Sequence, residues 1–422
     1  MDRLFVTGGA RLTGSVRIAG AKNSALKVMA ASVLAPGPSF LRNVPRILDC
    51  SIMGEVLEHL GVEIRWADDG VAVDASHLSS VEAPYELVRR MRASIVVLGP
   101  LLARTGEARV AMPGGDNIGS RPIDLHLEGL RRMGATIEAE HGFLVATTRG
   151  LSGASITLDY PSVGATENLM MAAVAARGTT VIDNAAREPE IADLARFLIA
   201  MGATIRGAGS ATIEVEGPAE LRPADHTVIP DRIEAGTWAA AAVATRGDVV
   251  LDGARPDHLE LFLEKLAEGG ASVALSDDGL RIEQADRPRA VDFVTLPYPG
   301  LATDFQPILL AMLSTANGTS IATENVFEGR FTYVDELRRM GADIRTEGHH
   351  AVIRGVEQLS AAPVRALDIR AGAAMAIAAL TADGVTEITD IQHVDRGYEG
   401  FEAKLTALGA EVRRESELVR LP

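Results

Sequence analysis

The sequence predicts an α/β protein of two domains, each made of three copies of one unit packed around buried helices. Two sets of glycines, running in phase along the chain, carry that prediction. The first set lies in six matching segments: Leu60-Gly61-Val62-Glu63-Ile64, Met133-Gly134-Ala135-Thr136-Ile137, Met201-Gly202-Ala203-Thr204-Ile205, Gly269-Gly270-Ala271-Ser272-Val273, Met340-Gly341-Ala342-Asp343-Ile344 and Leu408-Gly409-Ala410-Glu411-Val412. Their glycines are 73, 68, 68, 71 and 68 residues apart. Each ends an amphipathic helix and opens a strand, with a second strand after a turn, as in Thr136–Glu140 with Phe143–Thr147. The second set, Gly37, Gly106, Gly178, Gly247, Gly318 and Gly384, ends small, Ala-rich helices and precedes a strand. Each unit therefore reads helix, strand, helix, strand, strand. The first helix of a unit has almost no polar face and belongs inside; the second is amphipathic and belongs half outside.

Units of about 70 residues cannot bury such helices singly, so three must share one core. The boundary falls near His226–Pro230, giving one domain over 20–228 and a second over 1–19 and 229–422. The opening strands, Leu4–Thr7 and Ser15–Ile18, are expected to pair with the last unit and close the chain on itself. In the second unit, Pro113 to His126 stands out. Gly114, Gly115 and Gly119 make its first half a mobile loop carrying Asp116. Pro122 suits the first turn of the helix that follows, with Ile123, Leu127, Leu130 and Met133 at helical spacing. Arg121, Asp124 and His126 lie at that helix start.

Composition narrows the function. The net charge of -16 argues against a general nucleic-acid binder but not against a small anionic substrate, which responds to local charge. A single cysteine, Cys50, excludes an internal disulfide and fits a cytoplasmic protein. The first residues lack the apolar core of a signal peptide, and no apolar run suggests a membrane span.

The residues that begin the inner helices carry the most information. They are Lys22-Asn23, Arg92, Ser162-Val163-Gly164, Asp231-Arg232, Thr303-Asp304 and Asp368-Ile369-Arg370. Ser162, Asp231, Asp304 and Asp368 are each acceptable as ordinary helix caps. Lys22, Arg92, Arg232 and Arg370 are not, because a cation at a helix start opposes the dipole. Arg121, Arg187, Arg330 and Arg396 add cations in turns at matching places. Arginine suits bidentate binding of carboxylate and phosphate, so the pattern points to a small polyanion.

No phosphate-binding P-loop, dinucleotide fingerprint, zinc-protease motif, cysteine pair or nucleophile elbow is present. His349-His350 is discounted as a metal pair because neighbouring side chains in a strand or tight turn are expected to point apart. No metal and no cofactor is expected. Acid–base chemistry on a polyanion remains, with Asp304 as base and Asp116, on its loop, as an acid that burial would have to poise.

Several motifs together resemble the UDP-N-acetylglucosamine enolpyruvyl transferase family: Gly20-Ala21-Lys22-Asn23-Ser24, Arg92-Ala93-Ser94-Ile95, Pro113 through His126, Pro161 through Thr166, Asn184 through Glu188, Pro230 through Glu234, Thr303-Asp304 and Asp395-Arg396-Gly397-Tyr398. The likeness spans essentially the whole chain. It implies the enolpyruvyl transferase fold, two inside-out α/β barrels of three units each that close on substrate. It implies transfer of the enolpyruvyl group of phosphoenolpyruvate to the 3'-hydroxyl of UDP-N-acetylglucosamine with release of phosphate, the first committed step of peptidoglycan precursor synthesis. By the same resemblance, Lys22, Arg121 and Arg396 contact the phosphate of phosphoenolpyruvate, and Arg330 and Arg370 its carboxylate region. Asn23 and Asp304 bind the sugar, with Asp304 beside the attacking hydroxyl, and Arg92 is an anion contact across the cleft. Pro122, Ile123, Asp124, Leu125 and His126 form the uracil pocket, and Ser162, Val163 and Gly164 the pyrophosphate loop. Asp231, Arg232, Val326 and Asp368 complete the expected substrate-binding set.

The chain departs from the family's commoner pattern at three positions. Asp116 replaces the cysteine that the antibiotic fosfomycin alkylates in many members, which implies insensitivity. Tyr160 stands where some members have lysine, and Gly329 is expected to loosen the turn before Arg330. Two alternatives stay open at this level: an enolpyruvyl transferase with another acceptor, and a non-catalytic UDP-sugar sensor.

Overall fold

The computed structural model describes residues 2–113, 118–119, 122–276 and 279–416. They form two compact units. One holds residues 20–229 apart from Ile118 and Gly119; the other holds residues 2–19 and 230–416 together with Ile118 and Gly119. Each unit has its own apolar core.

The inner helices of the first unit are Lys22–Ala31, Leu98–Thr105 and Val163–Ala173. Those of the second are Arg232–Ala244, Gln306–Leu313 and Ile369–Leu380, and every residue of these three is buried. Alanine and glycine let them approach closely. A Cβ on Gly99 would lie 2.4 Å from the Asn168 carbonyl, so only glycine fits where the second and third inner helices of the first unit meet. The amphipathic helices behave differently: Asp124–Arg132 buries only His126, Gly129 and Leu130.

Both glycine sets have a backbone cause. All six of the first set take positive φ, the left-handed conformation that ends a helix without strain only in glycine. In the second set Gly247 is the exception. Arg246 takes the positive φ there, and Gly247 is needed because a Cβ would lie 2.3 Å from the Leu12 carbonyl oxygen.

Each repeat contributes one four-stranded sheet, three per unit. Three of its strands follow the expected order, with antiparallel pairing such as Phe143–Thr147 between Glu107–Ala111 and Thr136–Glu140. The fourth was not expected. It is a short edge strand parallel to the strand after the inner helix, as Glu82–Ala83 is to Arg109–Val110 and Phe293–Thr295 to Ala322–Glu324. In four repeats this edge strand leads into the inner helix of its own sheet, a strand-helix-strand unit. In the other two the strands are exchanged. Thr13–Arg17, which leads toward Lys22–Ala31, pairs with Asp248–Asp252 of the second unit. His226–Thr227, which leads toward Arg232–Ala244, pairs with Leu41–Arg42 of the first.

That exchange corrects one expectation. Asp2–Thr7 does join the last sheet, between Val385–Thr389 and Val412–Ser416. The second opening strand, however, pairs with the fourth repeat, because its parallel edge is the one left open there. Pro122 also sits before the cap residue Ile123, and the helix starts at Asp124. No helix among the described residues is long and apolar enough to cross a membrane.

Leu12 is fully buried in the second core. Leu12→Ala should cost about 3 kcal/mol through the cavity it leaves. Hydrogen exchange should show the lost protection in residues 230–416 and unchanged protection in 20–229. Equal loss in both stretches would contradict two separate cores.

Candidate active site

In the second unit two helix starts and one cationic turn are linked through Asp304, Arg330, Asp368 and Arg370. Asp231 and Asp368 are helix caps. Each accepts two backbone N–H groups, from Ile233 and Glu234 at 2.7 and 3.1 Å, and from Arg370 and Ala371 at 2.7 and 2.9 Å. Asp304 is not a cap. It lies in the short turn Thr303–Phe305, and its Oδ1 accepts from Arg370 Nε at 3.0 Å and sits 3.8 Å from Arg330 Nη2. Arg330 Nη1 is in turn 3.8 Å from Asp368 Oδ2.

The two guanidiniums are buried, while 35% of the Asp304 side chain is open. Arg330 Nε and Nη2 and Arg370 Nη1 are buried without a hydrogen-bond partner. Partial burial would raise the Asp304 carboxyl, but the charges of Arg370, Arg330 and Arg232 outweigh it and hold the group well below the usual carboxylate range. Arg232 opens its helix with its guanidinium 5.4 Å from the Tyr298 ring. Arg396 ends the short helix Gln392–Asp395. The residue two further on, Tyr398, supports Arg370: the guanidinium lies 5.2 Å from its ring, and its hydroxyl is 2.9 Å from Thr237 Oγ1. Glu324 organises the turn containing Val326, accepting from the Val326 and Phe327 amides at 2.8 and 3.1 Å and from Thr303 Oγ1 at 2.9 Å.

Gly329 allows a close approach of two segments. A Cβ there would lie 2.9 Å from the Ile118 carbonyl carbon, and one on Gly119 would lie 2.7 Å from Glu328 Oε2. The two glycines let these segments touch.

In the first unit, Lys22 is buried at the first position of its helix, and its Nζ lies 2.7 Å from Asp49 Oδ2. That carboxylate offsets a cation placed against the helix dipole. Asn23 is half-buried beside it. Ser162 caps Val163–Ala173, accepting from the Ala165 amide at 3.3 Å, so its cap role is real. Ile123, Leu125 and Val163 pack on the core edge, whereas Pro122 and Asp124 are exposed. Arg187 is exposed as well. Asp116 and Arg121 lie outside the described residues.

His126 is brought against Gly164, where a Cβ would lie 3.1 Å from the ring. Its Nδ1 is 3.1 Å from Asn168 Nδ2. Asn168 Oδ1 accepts from the Gly99 amide at 2.7 Å, and its Nδ2 also donates to the Ile95 carbonyl at 3.1 Å. His126 Nδ1 is therefore the acceptor, and its proton sits on Nε2. Burial and then the Arg92 charge push His126 from 6.5 to about 4, with Asp124 opposing. Arg92 itself opens the turn Arg92–Val97 ahead of its inner helix.

Sequence reasoning missed Asp49, Asn168 and Glu324, and gave Tyr398 no role. Asn168 was visible as a polar residue inside an apolar helix. So were Lys27 and Glu167, which meet at 3.4 Å between the first and third inner helices. His349 and His350 also differ from expectation. Their rings lie 4.2 Å apart because His349 belongs to the turn and His350 to the strand. Among the described residues no group of three or more His, Cys, Asp or Glu is placed to hold a metal ion.

Two buried groups of the first unit titrate in opposite senses. Burial lifts Glu167 from 4.5 to about 7 despite Lys27. Between pH 4.5 and 7 the native state holds a proton there that the unfolded chain lacks, so stability falls as pH rises. Between pH 4 and 6.5 the unfolded chain holds a proton on His126 that the native state lacks, so stability rises with pH. The difference from the parent protein isolates the removed group, so Glu167→Gln should gain stability relative to the parent from pH 4.5 to 7, on the order of 3 kcal/mol. His126→Gln should lose stability relative to the parent from pH 4 to 6.5. Urea unfolding across that range reads both slopes, and slopes of the same sign would contradict the assignment.

The family described as EPSP synthase (3-phosphoshikimate 1-carboxyvinyltransferase) matches residues 6–405. The chain is 55% identical to the UDP-N-acetylglucosamine 1-carboxyvinyltransferase of Corynebacterium jeikeium, with 98% of this chain and 99% of that one covered. It is 52% identical to the protein of the same name from Nocardia farcinica, with 98% of each covered. Among solved structures, the enolpyruvyl transferase NikO from Streptomyces tendae superposes with a TM-score of 0.89 at 28% identity, covering 98% of both chains. With full-length likeness in sequence and fold, and clustered cations at the inner-helix starts, the chain belongs to the enolpyruvyl transferase family, on the UDP-N-acetylglucosamine 1-carboxyvinyltransferase branch.

Proposed function

We propose that the chain transfers the enolpyruvyl group of phosphoenolpyruvate to the 3'-hydroxyl of UDP-N-acetylglucosamine, releasing phosphate, as the committing step of peptidoglycan precursor synthesis. The observation that carries this reading is the Asp304–Arg370–Arg330 cluster on a chain whose relatives bear that activity's name over their full length. Buried guanidinium N–H groups without partners favour an anion such as the carboxylate or phosphate of phosphoenolpyruvate.

In this reading the sugar hydroxyl adds to C2 of phosphoenolpyruvate while C3 gains a proton. The tetrahedral adduct then loses that C3 proton and expels phosphate. Asp304 takes the hydroxyl proton, and Asp116 supplies and removes the proton at C3. The depressed pKa of Asp304 keeps it ionised and ready to accept a proton, but it also makes the group a weak base. An anionic substrate on Arg370 and Arg330 cancels part of their field and raises the basicity of Asp304. Lys22, Arg121 and Arg396 hold the departing phosphate, and Asn23 the sugar. Ser162, Val163 and Gly164 take the pyrophosphate, while Pro122 through His126 enclose the uracil. The neutral His126 suits that last role, since a neutral base would leave a buried imidazolium unpaired.

The direct test is phosphate release from phosphoenolpyruvate, with and without UDP-N-acetylglucosamine, in metal-free buffer. Sugar-dependent phosphate together with an enolpyruvyl ether product is expected. Tight UDP-sugar binding without phosphate would replace the enzyme with a sensor. Asp304→Asn should lower kcat roughly 10²–10⁴-fold in a folded protein, and near-normal turnover would remove Asp304 from the chemistry. Fosfomycin should leave the parent protein active, because a carboxylate attacks an epoxide poorly, and Asp116→Cys should gain sensitivity. A covalent fosfomycin adduct on the parent protein by mass spectrometry would overturn this.

A further inference from the structure

We infer that Asp193 is a positioning residue for Lys22 and Asn23, fixing the start of their helix from another repeat; this rests on the reading of Asn23 as a sugar ligand. Asp193 lies on the amphipathic helix Pro189–Ala200 of the third repeat, and its side chain is 1% exposed. Its partners Ser24, Arg196, His226 and Ile229 all belong to the first unit. Its Oδ2 accepts from Ser24 Oγ and, at 3.4 Å, from the Ile229 amide. Its Oδ1 accepts from Arg196 Nη2 at 2.9 Å and lies 3.1 Å from His226 Nε2. The loop closes through the backbone, because the Ile229 carbonyl accepts from the Ala21 amide at 2.6 Å.

Three other inner helices carry their own side-chain cap, from Ser162, Asp231 and Asp368. Lys22–Ala31 has none, since its cap position is Ala21. Its first three residues are Lys22, Asn23 and Ser24, so the two expected ligands stand between an uncapped end and the one residue that Asp193 grips. Lys22 is tied separately to Asp49. Asn23 lies between Lys22 and Ser24, and its placement follows that of these two neighbours. The second anchor, residues 226–229, is itself held by the Arg42 carbonyl, which accepts from the Val228 amide at 3.0 Å, and by Asn43 Nδ2, which donates to the Val228 carbonyl at 2.9 Å. Ser24, Asp193 and His226 are not a nucleophile triad. The carboxylate stands between the hydroxyl and the imidazole, so no base faces Ser24.

The test is a double-mutant cycle on UDP-N-acetylglucosamine binding, measured by titration of the full chain without phosphoenolpyruvate. Asp193→Ala should weaken binding about 10-fold, and Asp193→Asn, whose amide oxygen still accepts from Ser24 and Ile229, should recover most of that loss. Asp193→Ala combined with Asn23→Ala should bind within about threefold of Asn23→Ala alone, because Lys22 is assigned to the absent phosphoenolpyruvate and no sugar ligand of that helix is left to misplace. Ser24→Ala, which removes one hydroxyl and spares the carboxylate, should weaken binding a few-fold and keeps the test open if Asp193→Ala does not fold. Additive losses in the cycle, or wild-type binding by folded Ser24→Ala, would overturn the positioning role. Wild-type binding by Asn23→Ala would instead remove the sugar-ligand reading, and the inference with it.

Discussion

Charge buried at the ends of packed helices governs this structure. Arg370 and Arg330 are almost wholly removed from water, and each desolvated ion costs several kcal/mol unless matched by opposite charge and hydrogen bonds. Three carboxylates stand nearby, but Asp231 and Asp368 direct their bonds to backbone amides at helix starts. Asp304 is left between two guanidiniums, and Arg232 adds to the same field. The balance is positive, with N–H groups of Arg330 and Arg370 unmatched inside. A fold does not keep such groups for stability, because apolar side chains of like volume would serve as well or better. They make sense when an anion completes them.

The first unit solves the same problem with a different charge distribution. Lys22 is matched by Asp49, and Lys27 by Glu167. His126 avoids charge altogether, because Asn168 is already committed as a donor to its Nδ1. Asn168 thereby ties three elements: the Gly99 and Ile95 backbone of the second inner helix region, its own third inner helix, and the helix that begins at Asp124. A larger residue at Gly164 would press on the imidazole, since a Cβ there would lie 3.1 Å from the ring.

Much of the fold was legible because its repeat is written in backbone requirements. Positive φ forces glycine at the end of each amphipathic helix, so Gly61, Gly134, Gly202, Gly270, Gly341 and Gly409 mark the period whatever happens between them. The edge strands were not legible. Glu82–Ala83 and Val364–Arg365 are two residues long, too short for alternation to show. The exchange of Thr13–Arg17 and His226–Thr227 depends on which sheet edge is open, a tertiary fact without a local pattern. At the candidate site, the cations stood out by opposing helix dipoles. Asp49 and Glu324 did not, since an acidic residue near a helix or strand end has many ordinary uses, and Asp193 did not because an acidic residue in the body of an amphipathic helix is ordinary too. Asp304 was readable as a cap or a base, and its bond to Arg370 Nε, with no cap bond from a backbone amide to it among the described residues, sets the cap reading aside.

A chain of net charge -16 handling anions raises the question of which field the ligand meets. At physiological salt, exposed charges beyond about 8 Å are largely screened, so the acidic surface contributes little at the cluster. Buried charges are screened far less, and there the arginines dominate. In the proposed reaction this has a kinetic consequence. With the cluster empty, the arginines depress Asp304 and leave it a poor base. With an anion bound, their field is partly spent on that anion and the carboxylate regains proton affinity. Activation of the sugar hydroxyl is thus tied to occupancy of the anion site by an arrangement that needs no moving part, only a carboxylate and a substrate sharing the same two arginines.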